Sequence, residues 1–131
     1  MRDRNTMRKD GELTPVPIAA ATEIFGGHIV CANAAGFAVL GAATAALTTL
    51  GVADGYADNR AGVAGDADVL VRRGKNWCFA NFGGDAVTQA RVGKDCYIAD
   101  SQTVAATSDT NARPLAGKVM AVDSDGVWVL I

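Results

Sequence analysis

The sequence predicts an all-β fold: a small antiparallel β-barrel or sandwich with short hairpins and at most one short helix. Two observations carry the prediction. Short apolar stretches recur along the whole chain, cut by glycine and by Asn/Asp turn signals, and several alternate with the two-residue period of a strand. Half of the 131 residues are hydrophobic, yet aromatic residues make up only 6% and much of the apolar content is alanine, with 15 glycines. Small side chains suit closely spaced backbones around a thin core. No linker divides the chain, which is the length of one ordinary domain.

In chain order, residues 1–14 read as a flexible or extended N-terminal arm and residues 15–131 as a single β domain. The first twelve residues carry Arg2, Arg4, Arg8 and Lys9 against Asp3, Asp10 and Glu12; the remainder carries eight basic and eleven acidic side chains. Pro15 and Pro17 suit an edge strand or an extended arm, because proline offers no N–H to a ladder. Strands are expected at Val16–Ala20, His28–Asn33, Phe37–Leu40, Thr48–Tyr56 and Asp68–Arg73 in the first half. In the second half they are expected at Trp77–Phe82, Asp95–Ala99, Thr103–Ala106, Gly117–Asp123 and Gly126–Ile131. "NAAG" and "SDG" supply turns between neighbouring strands. "GDAVTQARVG" predicts one short helix, with Asp85 as N-cap and Gly93 just past its end. "GAATAALTTLG" is ambiguous, since alanine favours a helix while threonine and the flanking glycines do not.

Strand faces carry a further expectation. In the last strand Trp128 and Leu130 share one side while Val127, Val129 and Ile131 share the other; Trp77 and Phe79 likewise oppose Cys78, Ala80 and Phe82. Both faces are apolar, whereas a small antiparallel sheet normally wets one of them. A cover over the second face is therefore expected, either from this chain or from another subunit, with oligomerisation favoured and Trp77, Phe79, Val127, Val129 and Ile131 as the subunit interface.

Several chemistries find no support in the residues. A formal net charge of −2 argues against a nucleic-acid partner, which needs clustered excess Lys and Arg. From Ile24 to Ala53 no charged residue occurs, but Asn33, His28 and the Ala/Gly/Thr content make a membrane-spanning helix an unfavoured reading. No secretory signal is apparent. Cys31, Cys78 and Cys96 form no C-x-x-C pair, and the single histidine completes no zinc site, so reduced thiols and no metal or other cofactor are expected. In "GKDCYIAD" a strand puts Cys96 with Ile98 and turns Asp95 to the opposite face; a carboxylate would in any case raise the thiol's pKa. Cys96 reads as a core residue. His28 and Cys31 fall on opposite strand faces, so they form no local dyad. The paired glycines of "FGGH" and "NFGGDAVTQ" lack a phosphate-loop pattern, and "DSDG" is a hairpin turn without the ligands of a calcium loop. The group Arg72, Arg73 and Lys75, with Arg60 nearby, reads either as a solvated strand end pairing locally beside Asp66 and Asp68, or as a contact patch for an acidic neighbour. No enzyme signature survives.

The second half, through "GDADVLVRRGKNWCFANF", "VGKDCYIADSQTVAATS" and "AGKVMAVDSDGVWVLI", resembles the small head-decoration (capsid cement) proteins of tailed bacteriophages. The first half matches more loosely, through "GGHIVCA" and "LGVADGYADN", so that the resemblance covers residues 13–131. It implies a non-enzymatic β-barrel protein, commonly a homotrimer, made in the host bacterial cytoplasm. Such a protein binds the exterior of the virion's capsid, where it cements neighbouring major capsid protein subunits. On that reading the contacts with the shell are Arg4, Arg8, Lys9, Pro15, Pro17, Arg72 and Arg73. A protein that binds only the expanded lattice stabilises it by mass action, and several linked contacts raise one another's effective concentration. Two other readings stand beside it. One is a β-barrel binding module for a small ligand or oligosaccharide, needing a concave site lined by rings such as Trp77, Trp128, Tyr56 and Tyr97; the other is a cysteine-dependent enzyme.

Overall fold

The computed structural model describes residues 1–131 and is all-β, with twelve strands and a single 3-10 turn at Gln89–Arg91. The first half supplies β1 (Leu13–Pro17), β2 (Thr22–Ile24), β3 (Ile29–Ala32), β4 (Ala38–Leu40), β5 (Thr48–Ala53), β6 (Ala57–Asn59) and β7 (Asp68–Arg72). The second half supplies β8 (Asn76–Asn81), β9 (Asp95–Asp100), β10 (Thr103–Ala105), β11 (Leu115–Asp123) and β12 (Gly126–Leu130). Residues 1–10 carry no regular structure and are exposed.

The second half closes into a five-stranded barrel in the order β10-β8-β12-β11-β9. All of its pairs are antiparallel except β10 with β8. The first half forms a five-stranded sheet in the order β1-β7-β5-β3-β4, beside the two-stranded β2-β6. That sheet curls on itself. Ile18 donates to Ala67 at 2.9 Å as β1 ends, and the next N–H, of Ala19, donates to Ala38 on the opposite edge strand at 3.0 Å, forming a parallel bridge.

β3 lies between two cores, and its sequence alternation sorts the residues. Ile29 and Cys31 join Val52 in the cluster built around the barrel, with Ile98, Val104, Val119, Val127 and Val129. Val30, on the opposite face, joins Ile18, Ile24, Ala38, Ala53, Val69 and Val71 inside the curled sheet. Each fully buried Val or Ile contributes about 1.5–3 kcal/mol. The second core is fastened by one buried polar side chain. The Asn59 amide donates to the carbonyls of Ile18 (3.3 Å), Ala19 (3.0 Å) and Val63 (2.9 Å). Gly62 is required beside it, because a Cβ there would stand 2.2 Å from Asn59 Oδ1.

Every expected strand is present. β1 begins at Leu13, so the first paired residues lie inside the segment read as the arm, and β2 and β6 are additional strands. "GAATAALTTLG" resolves as a loop after β4, with an isolated bridge from Ala42 to Asp100, and the start of β5. The helix expected in "GDAVTQARVG" is not formed beyond its 3-10 turn, and Asp85 is not its cap. Instead Asn81 clamps Val87 through two 2.8 Å hydrogen bonds, holding the segment against the barrel. The turns fall where the motifs place them. Asn33 Oδ1 accepts from the N–H groups of Ala35 and Phe37 at 3.0 Å, and Gly36 takes φ +87°. Asp123 accepts from Asp125 N–H in the β11–β12 hairpin and from the Trp128 indole, both at 2.9 Å.

For Phe79, Val127 and Val129 the subunit-interface expectation is corrected by this packing. Phe79, Val127 and Val129 are buried inside the chain's own barrel, and Trp77 and Ile131 are partly buried against the same core. Barrel closure covers that face, so it requires no second subunit. The opposite face carries half-buried Trp128 beside exposed Leu130.

Candidate functional site

The shell-contact residues named from sequence lie in the N-terminal segment, on the β1 edge and at the end of β7. Arg4, Arg8 and Lys9 are exposed in the N-terminal segment, which joins the fold where Arg73 N–H donates to Glu12 O at 2.9 Å. Lys75 adds an ion pair to the Glu12 carboxylate at 3.8 Å. β1 then runs antiparallel to β7, Leu13 opposite Arg72 and Pro17 opposite Asp68. The bonds Arg73–Glu12 and Ile18–Ala67 fix which residues bond inward: Glu12, Thr14, Val16 and Ile18 face the β7 ladder, so Pro15 and Pro17 occupy the positions directed away from it. Two of the three outward donors of this edge are thereby removed, and the edge resists pairing with another strand.

The basic group does not pair with Asp66 or Asp68. Arg72 meets Asp54 at 3.4 Å, and Arg60 meets Asp58 at 2.9 Å and Glu23 at 3.5 Å. Arg60 beside Asp58 holds that carboxyl at about 2, and Glu23 accepts from the Tyr56 hydroxyl at 2.6 Å, raising the phenol. Arg113 meets Asp85 at 2.8 Å, and Arg91 donates to the Asp95 carbonyl at 2.6 Å. Arg73 is the one arginine of residues 13–131 whose side chain makes no hydrogen bond or ion pair.

Arg73 lines a cleft of about 410 Å³ between the two halves of the molecule. One wall is Leu47–Leu50, at the start of β5; the other is Leu115–Gly117, at the start of β11; Leu130 and Ile131 close it. At its floor the Thr49 hydroxyl donates to the Leu115 carbonyl, tying the walls together. None of the aromatic side chains lines this cleft, so the ring-lined pocket that a sugar-binding reading needs is not found there. Sequence reasoning named Arg73 and Ile131 but missed the cleft, since its walls come from segments far apart in the chain that carry only ordinary apolar and threonine residues.

The cysteines sit in different surroundings from those of an activated thiol. Cys96 is fully buried and its thiol is pushed up to about 11, by burial first, with Asp95 adding to the rise. Burial also raises Cys31, against a partial offset from Thr49, and Cys78. His28 Nδ1 lies 2.8 Å from the Ser101 hydroxyl. No group of three or more His, Cys, Asp or Glu side chains is placed to hold a metal ion. No helix is long and apolar enough to cross a membrane. Compared with family models, curated proteins and solved structures, the chain gives no match.

Proposed function

We propose that the chain is a non-enzymatic structural protein of a phage virion that binds the outer surface of the capsid and cements neighbouring major capsid protein subunits. What supports this reading is an exposed N-terminal segment rich in Arg and Lys that leads into the proline-blocked β1 edge, with Arg73, its side chain unpaired, hydrogen-bonded through its backbone N–H to Glu12 where that segment joins the fold. A segment that extends from a rigid β body, held at one point by Arg73 and Lys75, can reach across a boundary between subunits and order there, at an entropic cost to affinity. The homotrimer rests on the resemblance alone, because the strands first assigned to a subunit interface are filled by the chain's own core.

The test mixes the purified chain with expanded and unexpanded shells of the phage that encodes it. Co-sedimentation with expanded shells and a higher temperature of shell disruption are expected, with a clear loss of binding on deletion of residues 1–12. Equal recovery with both kinds of shell, or no effect on disruption, would overturn the reading.

A further inference from the structure

We propose that the cleft between the two halves takes up an extended segment of another protein, a segment with apolar side chains and a carboxylate that Arg73 receives. This deepens the capsid-binding reading and rests on it only for which protein supplies the segment.

The two cleft walls stand at the ends of their ladders and are tied to each other by the Thr49 hydroxyl on the Leu115 carbonyl. β7 accompanies β5 only at Val52 and Ala53, so Thr48–Leu50 have β3 on one flank and no strand on the other. β11 pairs with β9 from Leu115, but β12 joins it only from Lys118 onward, which leaves Leu115–Gly117 with one free flank. These two free half-edges are the walls of the cleft. Because the Thr49 hydroxyl bonds the Leu115 carbonyl directly, the segment lies over this tie and sends its side chains into the cleft. Leu50, Leu115, Leu130 and Ile131 offer apolar contact for its side chains, and Leu115 and Leu130 stand exposed until something covers them.

Charge selects the occupant. Arg73 brings an unpaired guanidinium to the rim, while Arg60, Arg72 and Arg113 each already hold a carboxylate. Aspartate or glutamate in the incoming segment meets it in a partly apolar setting, where a charged hydrogen bond is stronger than on an open surface. The chain's own segment 1–10 fits poorly, since its four cations against two carboxylates would approach the same guanidinium.

The test pans a display library of random octapeptides against the full chain, with the Arg73→Gln and Leu115→Arg variants as parallel targets. The enriched peptides are then measured by fluorescence anisotropy and by amide hydrogen exchange. Enrichment of apolar sequences with an acid is expected. Arg73→Gln should weaken their binding about tenfold, and exchange should slow within Thr48–Leu50 and Leu115–Gly117. Enriched peptides without an acid, equal binding to Arg73→Gln, or unchanged exchange at these segments would overturn the proposal. So would tighter peptide binding after deletion of residues 1–11, which would make the chain's own arm the occupant, or a concentration-dependent dimer abolished by Leu115→Arg, which would make it a second copy. A chain that captures such peptides yet binds no shell keeps the cleft and loses the capsid. A chain that binds shells but no peptide loses the cleft alone.

Discussion

The barrel of β8–β12 and the curled sheet of β1–β7 bury the same kinds of side chain but close by different means. The barrel closes as a complete ring of five paired strands, and the β11–β12 hairpin is joined through a tight turn built by Asp123 and Gly126. The curled sheet pairs β1 with β7 across most of the first half, then depends on one bridge at Ile18–Ala38 and on the Asn59 amide to hold its ends together. Ring closure removes edges outright, whereas a curled sheet must protect the edges it keeps. Here Pro15 and Pro17 provide that protection on β1.

The comparison breaks most readily in the cores. Ile98→Ala in the barrel and Ile24→Ala in the curled sheet should each cost about 2–5 kcal/mol, measured by urea unfolding. Because Ile29, Cys31 and Val52 of the sheet pack into the barrel's own cluster, both halves should unfold in one transition. Two separated transitions would show that they are independent. Asn59→Ala should cost about 2–3 kcal/mol, since three carbonyls lose their common donor in a buried site. A loss under 0.5 kcal/mol would mean that the bridge alone holds the curl.

The matching polar tie of the barrel is sensitive to acid. The Thr107 hydroxyl and, after it, the Thr107 N–H and Arg113 hold the Asp85 carboxyl below its ordinary value of 3.8. A depressed folded-state pKa means that the stabilisation is fully present above the unfolded value and is lost as pH falls below about 3.8 through the folded value. Asp85→Asn should therefore remove part of the acid sensitivity in that window, and Arg113→Ala should cost about 1–2 kcal/mol at neutral pH. An unchanged acid profile in Asp85→Asn would count against this tie.

Smaller effects sharpen the contrast between edges and cores. Replacing Pro15 and Pro17 together by valine restores two outward N–H donors on β1. It should change stability by less than about 1 kcal/mol yet produce concentration-dependent association in sedimentation. With a maleimide, half-buried Cys78 should react first, while Cys31 in the sheet and Cys96 in the barrel should become reactive together, at the same urea concentration. Labelling of Cys31 well before Cys96 would separate the two halves.

Legibility in the sequence followed the range of the interaction. The strand Asp95–Ala99 and the turn at Asp123–Gly126 were readable because alternation and turn chemistry act within a few residues. β2 and β6, with only three residues each, are too short to display a period. The helix expected after Asp85 failed because Asn81 and Thr107, which are not part of that segment, claim its polar groups. The apolar faces of β8 and β12 were recognised, but not what covers them.

From the amino-acid order alone came the all-β class, the strand positions, the burial of Cys96 and the edge character of Pro15 and Pro17. Each depends on side-chain alternation, backbone freedom or a missing N–H, which neighbouring residues settle among themselves. Tertiary structure alone decided that the second half closes into a barrel, that Val127 and Val129 point into it, and that Arg73 is left unpaired beside a cleft. Those outcomes depend on which distant strands meet, and the free energy of that meeting is shared among residues that no short stretch of sequence contains.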